Sequence, residues 1–201
     1  MVETTRRREI EDAASSLFHE HGYAGTSVRD IARALDIQGA SLYAHVASKH
    51  DVLWSIVERT ADRFELAADG ALVCRDGRPE ADPGARFAAL VRAHVGVVTD
   101  DLQRASVFVH DWRSLSADRQ TEIGRRRDAY EERFRSVIAE GIEGGAFATT
   151  DPLAAAAFVL TALNGLVSWY RPDGRIKPAA LAEIYADLAL RAVLARDEVH
   201  R

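Results

Sequence analysis

The sequence predicts an all-α protein, and three observations carry that expectation. Strand-like alternation of apolar and polar residues is absent along the 201 residues, while Ala, Leu, Arg and Glu are abundant. Apolar residues recur instead three and four apart, the register of one helix face. Breakers then cut the chain into helix-sized pieces: Gln38-Gly39, the charged Pro/Gly-rich stretch 74–84, and Gly144-Gly145. A chain of this length holds one or two compact units with a sizeable core. No run of about 18 uninterrupted apolar residues occurs, and the N-terminus lacks the apolar core of a signal peptide. The single cysteine, Cys74, excludes an intrachain disulfide and a cysteine-rich zinc site. It suits a reducing cytosol, so a cytoplasmic location is expected.

Residues 26–53 are the most informative stretch. Val28, Ile31, Ala32 and Leu35 share one helix face, with Thr26 or Ser27 available as N-cap. Ile37, Leu42 and Val46 begin a second apolar set after Gln38-Gly39, a pair poor in helix propensity. The segment Ala40 to Val46 is too short to stand alone and must lean on its neighbour. Two short helices at a steep angle, the second turning small and polar residues outward, form the helix-turn-helix that fits a DNA major groove.

The same residues carry a family resemblance. Thr26, Asp30-Ile31-Ala32, Leu42-Tyr43-Ala44-His45-Val46 and Ser48-Lys49 match the pattern of TetR-family transcriptional regulators, and the chain is identified as resembling that family. Ile10, Ala13-Ala14, Leu17-Phe18 and Gly22-Tyr23 then correspond to the family's first helix and its exit. The resemblance implies a three-helix DNA-binding domain over residues 1–47 and a helical ligand-binding and dimerisation domain over 48–201. Its DNA partner is a double-stranded operator. Tyr43, His45 and Lys49 are expected at phosphates, Gly39, Ala40 and Ser41 at base edges, and Thr26, Ser27, Arg29 and Gln38 among the other DNA-binding residues. The small side chains at 39–41 offer few hydrogen bonds, so DNA shape should contribute to readout.

Charge alone does not announce a DNA binder. The formal net charge is −5, and residues 1–63 hold eight Lys/Arg against ten Asp/Glu. Placement must substitute for excess: Arg6, Arg7 and Arg8 precede the expected first helix, and Arg29 and Lys49 flank the turn. A few donors doubled in a dimer suffice for a specific site.

The remaining elements follow in order. Ser48 opens a connecting helix over 48–73, with Asp51 in capping-box register and Leu53, Ile56-Val57, Thr60 and Phe64 inward. Asp82-Pro83 starts a helix carrying Phe87, Leu90-Val91, His94-Val95 and Val98. A shorter helix over 101–113 carries Val107-Phe108, Asp111 and Trp112, and a long one over about 117–143 carries Ile123, Tyr130, Phe134 and Val137-Ile138. Asp151-Pro152 starts the helix 152–170, whose Leu153, Phe158, Val159, Leu160, Leu163, Leu166, Val167 and Trp169 leave almost no polar face. Its length would permit a membrane span, but Thr161, Asn164 and Ser168 sit mid-segment and no second span exists. A helix apolar all round is buried on two sides, one against core or ligand and one against another subunit. With the last helix, 178–196, it forms the four-helix homodimer interface that the family resemblance implies.

The run Asn164 to Gly174, with Trp169-Tyr170-Arg171-Pro172, is similar to a branch of the family that answers acyl-CoA thioesters; Gly141, Gly145-x-Phe147 and Asp151 resemble it too. That implies a small-molecule effector of the acyl-CoA class, met by Phe108, Trp112, Arg113, Tyr130, Asn164, Trp169 and Arg171. Aromatic walls with a few polar groups are the usual make-up of a ligand site. His19 and His21 point apart on a helix, and His94, His110 and Asp111 read as pocket or surface residues; neither a metal nor a cofactor is expected. Gly-rich phosphate loops and nucleophile motifs are absent, which argues against an enzyme. The alternative is a helix-turn-helix protein controlled by a protein partner or a non-CoA hydrophobic compound.

Overall fold

Helices follow one another throughout the computed structural model, which describes residues 2–73, 82–149 and 151–194. Cys74, most of the 74–84 stretch and residues 195–196 of the last expected helix lie outside the described residues. The elements are α1 (Val2–Gly25), α2 (Val28–Ala34), α3 (Gly39–Tyr43), α4 (Lys49–Ala71), α5 (Pro83–Asp100) and α6 (Leu102–His110). A 3₁₀ turn (Trp112–Ser114) precedes α7 (Ala117–Glu143), α8 (Pro152–Asn164), α9 (Leu166–Trp169) and α10 (Pro178–Val193). Two compact units are formed: Met1–Asp62 with Asp101–Arg125, and Arg63–Asp100 with Arg126–Arg201. Helices α4 and α7 each contribute residues to both.

In the first unit Ile10, Ala14 and Phe18 of α1 are buried together with Ile31 of α2, Leu42 of α3, and Leu53 and Ile56 of α4. Each large apolar side chain among them contributes about 1.5–3 kcal/mol on leaving water. Helix α1 is interrupted at Gly22 (φ 72°, ψ 159°), a left-handed break that a side chain would strain. Past it, Tyr23 returns onto Phe18, ring centroids 5.3 Å apart. Glu11 is only 1% exposed, an uncommon place for a carboxylate. Ser55 Oγ (2.6 Å) and Arg59 (3.0 Å) donate to it, and Arg7 lies at 3.4 Å. Arg6, Arg7 and Arg8 lie within α1 rather than preceding it.

The second unit is built on α5 against α10, with Phe87, Leu90, Val91 and Val95 buried alongside Leu181, Ala186, Ala189 and Val193. Arg92 clamps the pair by donating twice to Glu183 at 2.8 Å. Asp82 and Asp151 act as N-caps: Asp82 accepts from the Ala85 N–H at 2.8 Å, and Asp151 from the N–H groups of Leu153 and Ala154 at 2.9 and 3.1 Å. Helix α7 ends in a Schellman turn around Gly145 (φ 72°), closed by Gly145 N–H to Ile142 O and Ala146 N–H to Gly141 O. The turn throws Phe147 back across Gly141, where an added Cβ would lie 2.2 Å from the ring, and Phe147 packs on Phe87 at 5.9 Å.

Three expected helices are shorter than their apolar patterns. The 40–46 segment is Gly39–Tyr43, leaving His45 and Val46 beyond it. The 101–113 helix stops at His110, where the chain tightens into the 3₁₀ turn and the Asp111 carboxylate accepts from the Tyr23 N–H at 3.2 Å. The 152–170 helix is interrupted at Gly165, after Asn164; both residues are weak helix formers. Among the described residues, Pro152–Trp169 is nonetheless a run long and apolar enough to cross a membrane by length and composition.

Candidate nucleic-acid interface

Helix α2 is set by local hydrogen bonding. Ser27 Oγ accepts from the Asp30 N–H (3.2 Å) while the Asp30 carboxylate accepts from the Ser27 N–H (2.9 Å), a reciprocal capping box. The bonds that Ser27 donates hold the Asp30 carboxyl below the usual range. The exit is a second Schellman turn, with Asp36 N–H bonded to Arg33 O (3.1 Å) and Ile37 N–H to Ala32 O (3.0 Å). Its left-handed position is taken by Asp36 (φ 53°), one of the few non-glycine residue types that tolerates it. This turn aims α3.

Helix α3 buries Leu42 and presents the rest. Gln38, Ala40, Ser41 and Tyr43 are exposed, Tyr43 at 56%, and Gly39 and His45 are partly covered. Arg29 of α2 is exposed as well and makes no ion pair or hydrogen bond among the described residues. The His45 Nδ1 is buried without a hydrogen-bond partner there. The outward set is Arg29 of α2 with Gln38, Ala40, Ser41 and Tyr43, all polar but Ala40 and with one positive charge among them.

Two residues expected at DNA are occupied otherwise. Thr26 is buried, and its hydroxyl donates to the carbonyls of Gly22 (3.0 Å) and Leu17 (3.2 Å), locking the corner between α1 and α2. The Lys49 ammonium donates to Tyr23 O (2.8 Å) and Thr26 O (2.7 Å) and lies 4.0 Å over the Tyr23 ring. Burial lowers its pKa, with the Asp111 carboxylate acting the other way. Burial in turn raises the Asp111 carboxyl. Lys49 thus clamps the corner that feeds α2 with two of its three ammonium protons. Sequence spacing has no way to report that two carbonyls more than twenty residues upstream take up two of its protons.

The residues expected to meet a ligand have distinct neighbours. Phe108 is buried on α6, and Trp112 lies in the 3₁₀ turn with the exposed Arg113 guanidinium 4.6 Å over its ring; all three belong to the first unit. In the second unit Tyr130 bonds His94 Nδ1 (3.1 Å) and lies against Phe64 and Phe134. Trp169 is exposed and stacks on Tyr185 at 6.4 Å. Asn164 closes α8 rather than sitting mid-helix, and exposed Arg171 donates to Tyr170 O. His110 and Asp111 belong to the first unit and His94 to the second.

Two helices of the second unit carry exposed apolar side chains. Along α8, Ala154, Phe158, Thr161 and Ala162 are exposed, and along α10, Ile184 and Leu188. Phe158 is 64% and Leu188 58% exposed.

Two family patterns match this chain: "Bacterial regulatory proteins, tetR family" over residues 10–55 and "Tetracyclin repressor-like, C-terminal domain" over 80–193. The chain belongs to the TetR family. It is therefore a regulator of transcription and not an enzyme. It is 28% identical to the HTH-type transcriptional repressor KstR2 of Rhodococcus jostii over 92% of this chain and 89% of KstR2. The TetR-family regulator PfmR of Thermus thermophilus has a similar structure, with TM-score 0.80, 32% identity, and coverage of 90% of this chain and 97% of PfmR. AibR, solved in complex with isovaleryl coenzyme A and operator DNA, superposes with TM-score 0.79 at 26% identity, covering 91% and 97% of the two chains.

Proposed function

We propose that this TetR-family protein is a cytoplasmic homodimeric repressor that grips a palindromic operator with two copies of α3 and leaves it when an acyl-CoA thioester binds. The observation that carries the reading is the α2–turn–α3 segment, where Leu42 is buried and Ala40, Ser41 and Tyr43 are offered outward. Residues 1–47 read DNA, with Arg29 and Tyr43 on phosphates beside Ser27 and His45, and with Gln38, Gly39, Ala40 and Ser41 toward base edges. Thr26 and Lys49 position them. Residues 48–201 pair the subunits and receive the effector.

The exposed apolar side chains of α8 and α10 support pairing, because exposed apolar surface marks an interaction face. Two such helices from each subunit make a four-helix interface. The isovaleryl coenzyme A bound to AibR supports the thioester class. Release requires that the effector favour a subunit spacing that no longer matches the half-sites, since a ligand indifferent to the two states shifts nothing. Helix α4 runs unbroken from the Lys49 clamp into the second unit and is the lever.

The test begins with selecting a duplex site from a random library, which should yield an inverted repeat. A panel of acyl-CoA thioesters is then titrated against the complex and followed by anisotropy. Dissociation by a thioester is the expected result. Release only by an uncharged hydrophobic compound, or by no small molecule, would overturn the acyl-CoA reading and leave a DNA binder under other control.

A further inference from the structure

The second unit contains a hydrogen-bonded polar pair, His94 and Tyr130, that leaves one buried nitrogen unanswered. His94 lies on α5 among core residues and is 3% exposed. Its Nδ1 is 3.1 Å from the Tyr130 hydroxyl on α7, and its Nε2 is fully buried with no hydrogen-bond partner among the described residues. Aromatic rings enclose the pair: Phe64 lies 4.7 Å from His94 and 5.7 Å from Tyr130, and Phe134 lies 5.6 Å from Tyr130.

We propose that His94 and Tyr130 form the acyl end of the effector site, with the His94 Nε2–H donating to the thioester carbonyl oxygen and Phe64 and Phe134 burying the first carbons of the chain. The assignment rests on the reading that an acyl-CoA releases the operator.

Several observations lead to it. Burial, aided by the positive charge of Arg127, lowers the His94 pKa to about 3, so the ring is neutral and carries one proton. We assign the tautomer in which the Tyr130 hydroxyl donates to Nδ1, which puts the ring proton on Nε2 and makes that nitrogen a donor. A buried donor without an acceptor is costly, and proteins retain few of them. What satisfies it must bring an oxygen acceptor into an aromatic, water-poor box beside a positive charge. A thioester carbonyl meets each condition: it is polar, uncharged and attached to an apolar chain. A carboxylate would have to shed its hydration to enter. Tyr130 keeps part of its surface exposed, so the pair reaches the surface of the unit through that side chain. Because Nε2 is unsatisfied without ligand and satisfied with it, a chain that carries a carbonyl binds here more tightly than one that lacks it.

The test uses the full-length protein with dodecanoyl coenzyme A, isovaleryl coenzyme A, and the dodecyl thioether of coenzyme A, which lacks the carbonyl. Affinities are read by calorimetry, and operator binding checks that each variant folds. The parent should prefer the thioester to the thioether about tenfold or more. His94→Phe should bind the thioester about ten times more weakly and lose that preference. Tyr130→Phe should lose a smaller part of it, and His94→Gln, which keeps an N–H near the Nε2 position, should recover affinity. If His94→Phe fails to fold, His94→Gln and Tyr130→Phe carry the comparison. Thioester affinity within twofold of the parent in His94→Phe, or an undiminished preference for the carbonyl in the variants, overturns the assignment alone. A parent that binds none of the three ligands removes the acyl-CoA reading itself.

Discussion

Lys49 separates two physical roles that a single gel-shift experiment would confuse. Its ammonium donates to Tyr23 O at 2.8 Å and Thr26 O at 2.7 Å and sits 4.0 Å over the Tyr23 ring. Lys49→Met keeps the apolar stem and removes these contacts. Hydrogen bonds from a charged donor contribute about 1.5–3 kcal/mol each when buried, and a cation over a ring about 0.5–1 kcal/mol. The site is only partly covered, so a total loss of about 2–3 kcal/mol is expected. For a chain of this size that lowers the melting temperature by roughly 4–12 °C. Operator affinity should fall at every salt concentration while the slope of log K against log salt stays unchanged, because no phosphate contact is lost. Arg29→Ala should behave in the opposite way, with an unchanged melt and a slope reduced by about 0.9 per subunit. Calorimetric melts and anisotropy titrations at several salt concentrations decide the matter. A Lys49→Met protein that melts like the parent and loses about 0.9 of slope per subunit would refute the clamp.

His94 predicts a pH dependence. The unfolded chain takes up a proton near pH 6.5 that the folded ring refuses until about pH 3. Stability from this group is complete above pH 6.5 and declines as pH falls toward 3, at up to about 1.4 kcal/mol per pH unit. Urea melts at about pH 7.5 and about pH 5 should therefore differ by about 2 kcal/mol more for the parent than for His94→Phe, and an equal difference would sink the claim. Gly141→Ala places a methyl group 2.2 Å from the Phe147 ring and forces that ring off Phe87. A net loss of about 1–2 kcal/mol is expected after the gain in helix propensity, so a stabilised variant in a thermal melt would contradict the packing. Phe158→Glu puts a charge among the exposed apolar side chains of α8, where Phe158 is 64% exposed. Light scattering should then report a monomer with nearly unchanged melting, whereas a persistent dimer would move the interface elsewhere.

Features set by a few neighbouring residues are legible along the chain. Ser27 with Asp30, Ser48 with Asp51, Asp82 and Asp151 each satisfy helix N–H groups within three residues, so their caps are readable from spacing. The same holds for the helix over 117–143, whose apolar period and terminal Gly144-Gly145 set its bounds. The exposure of Tyr43 and the burial of Leu42 follow from the helical register of residues 28–46. Only the tertiary structure decided which polar groups remain available for function. Lys49 and Thr26 read as donors for DNA in the sequence, but the folded corner claims both through backbone carbonyls. Glu11 meets Ser55 and Arg59, and His94 meets Tyr130, across helix pairs whose register no local pattern encodes. Asp36 carries the left-handed turn that aims α3, a position where glycine would announce itself and aspartate does not. Helix caps and apolar periods are local energies that a short stretch of chain can express. The satisfaction of a buried charge or donor depends on which distant atoms packing brings within hydrogen-bond reach, and that is settled only when the whole chain folds.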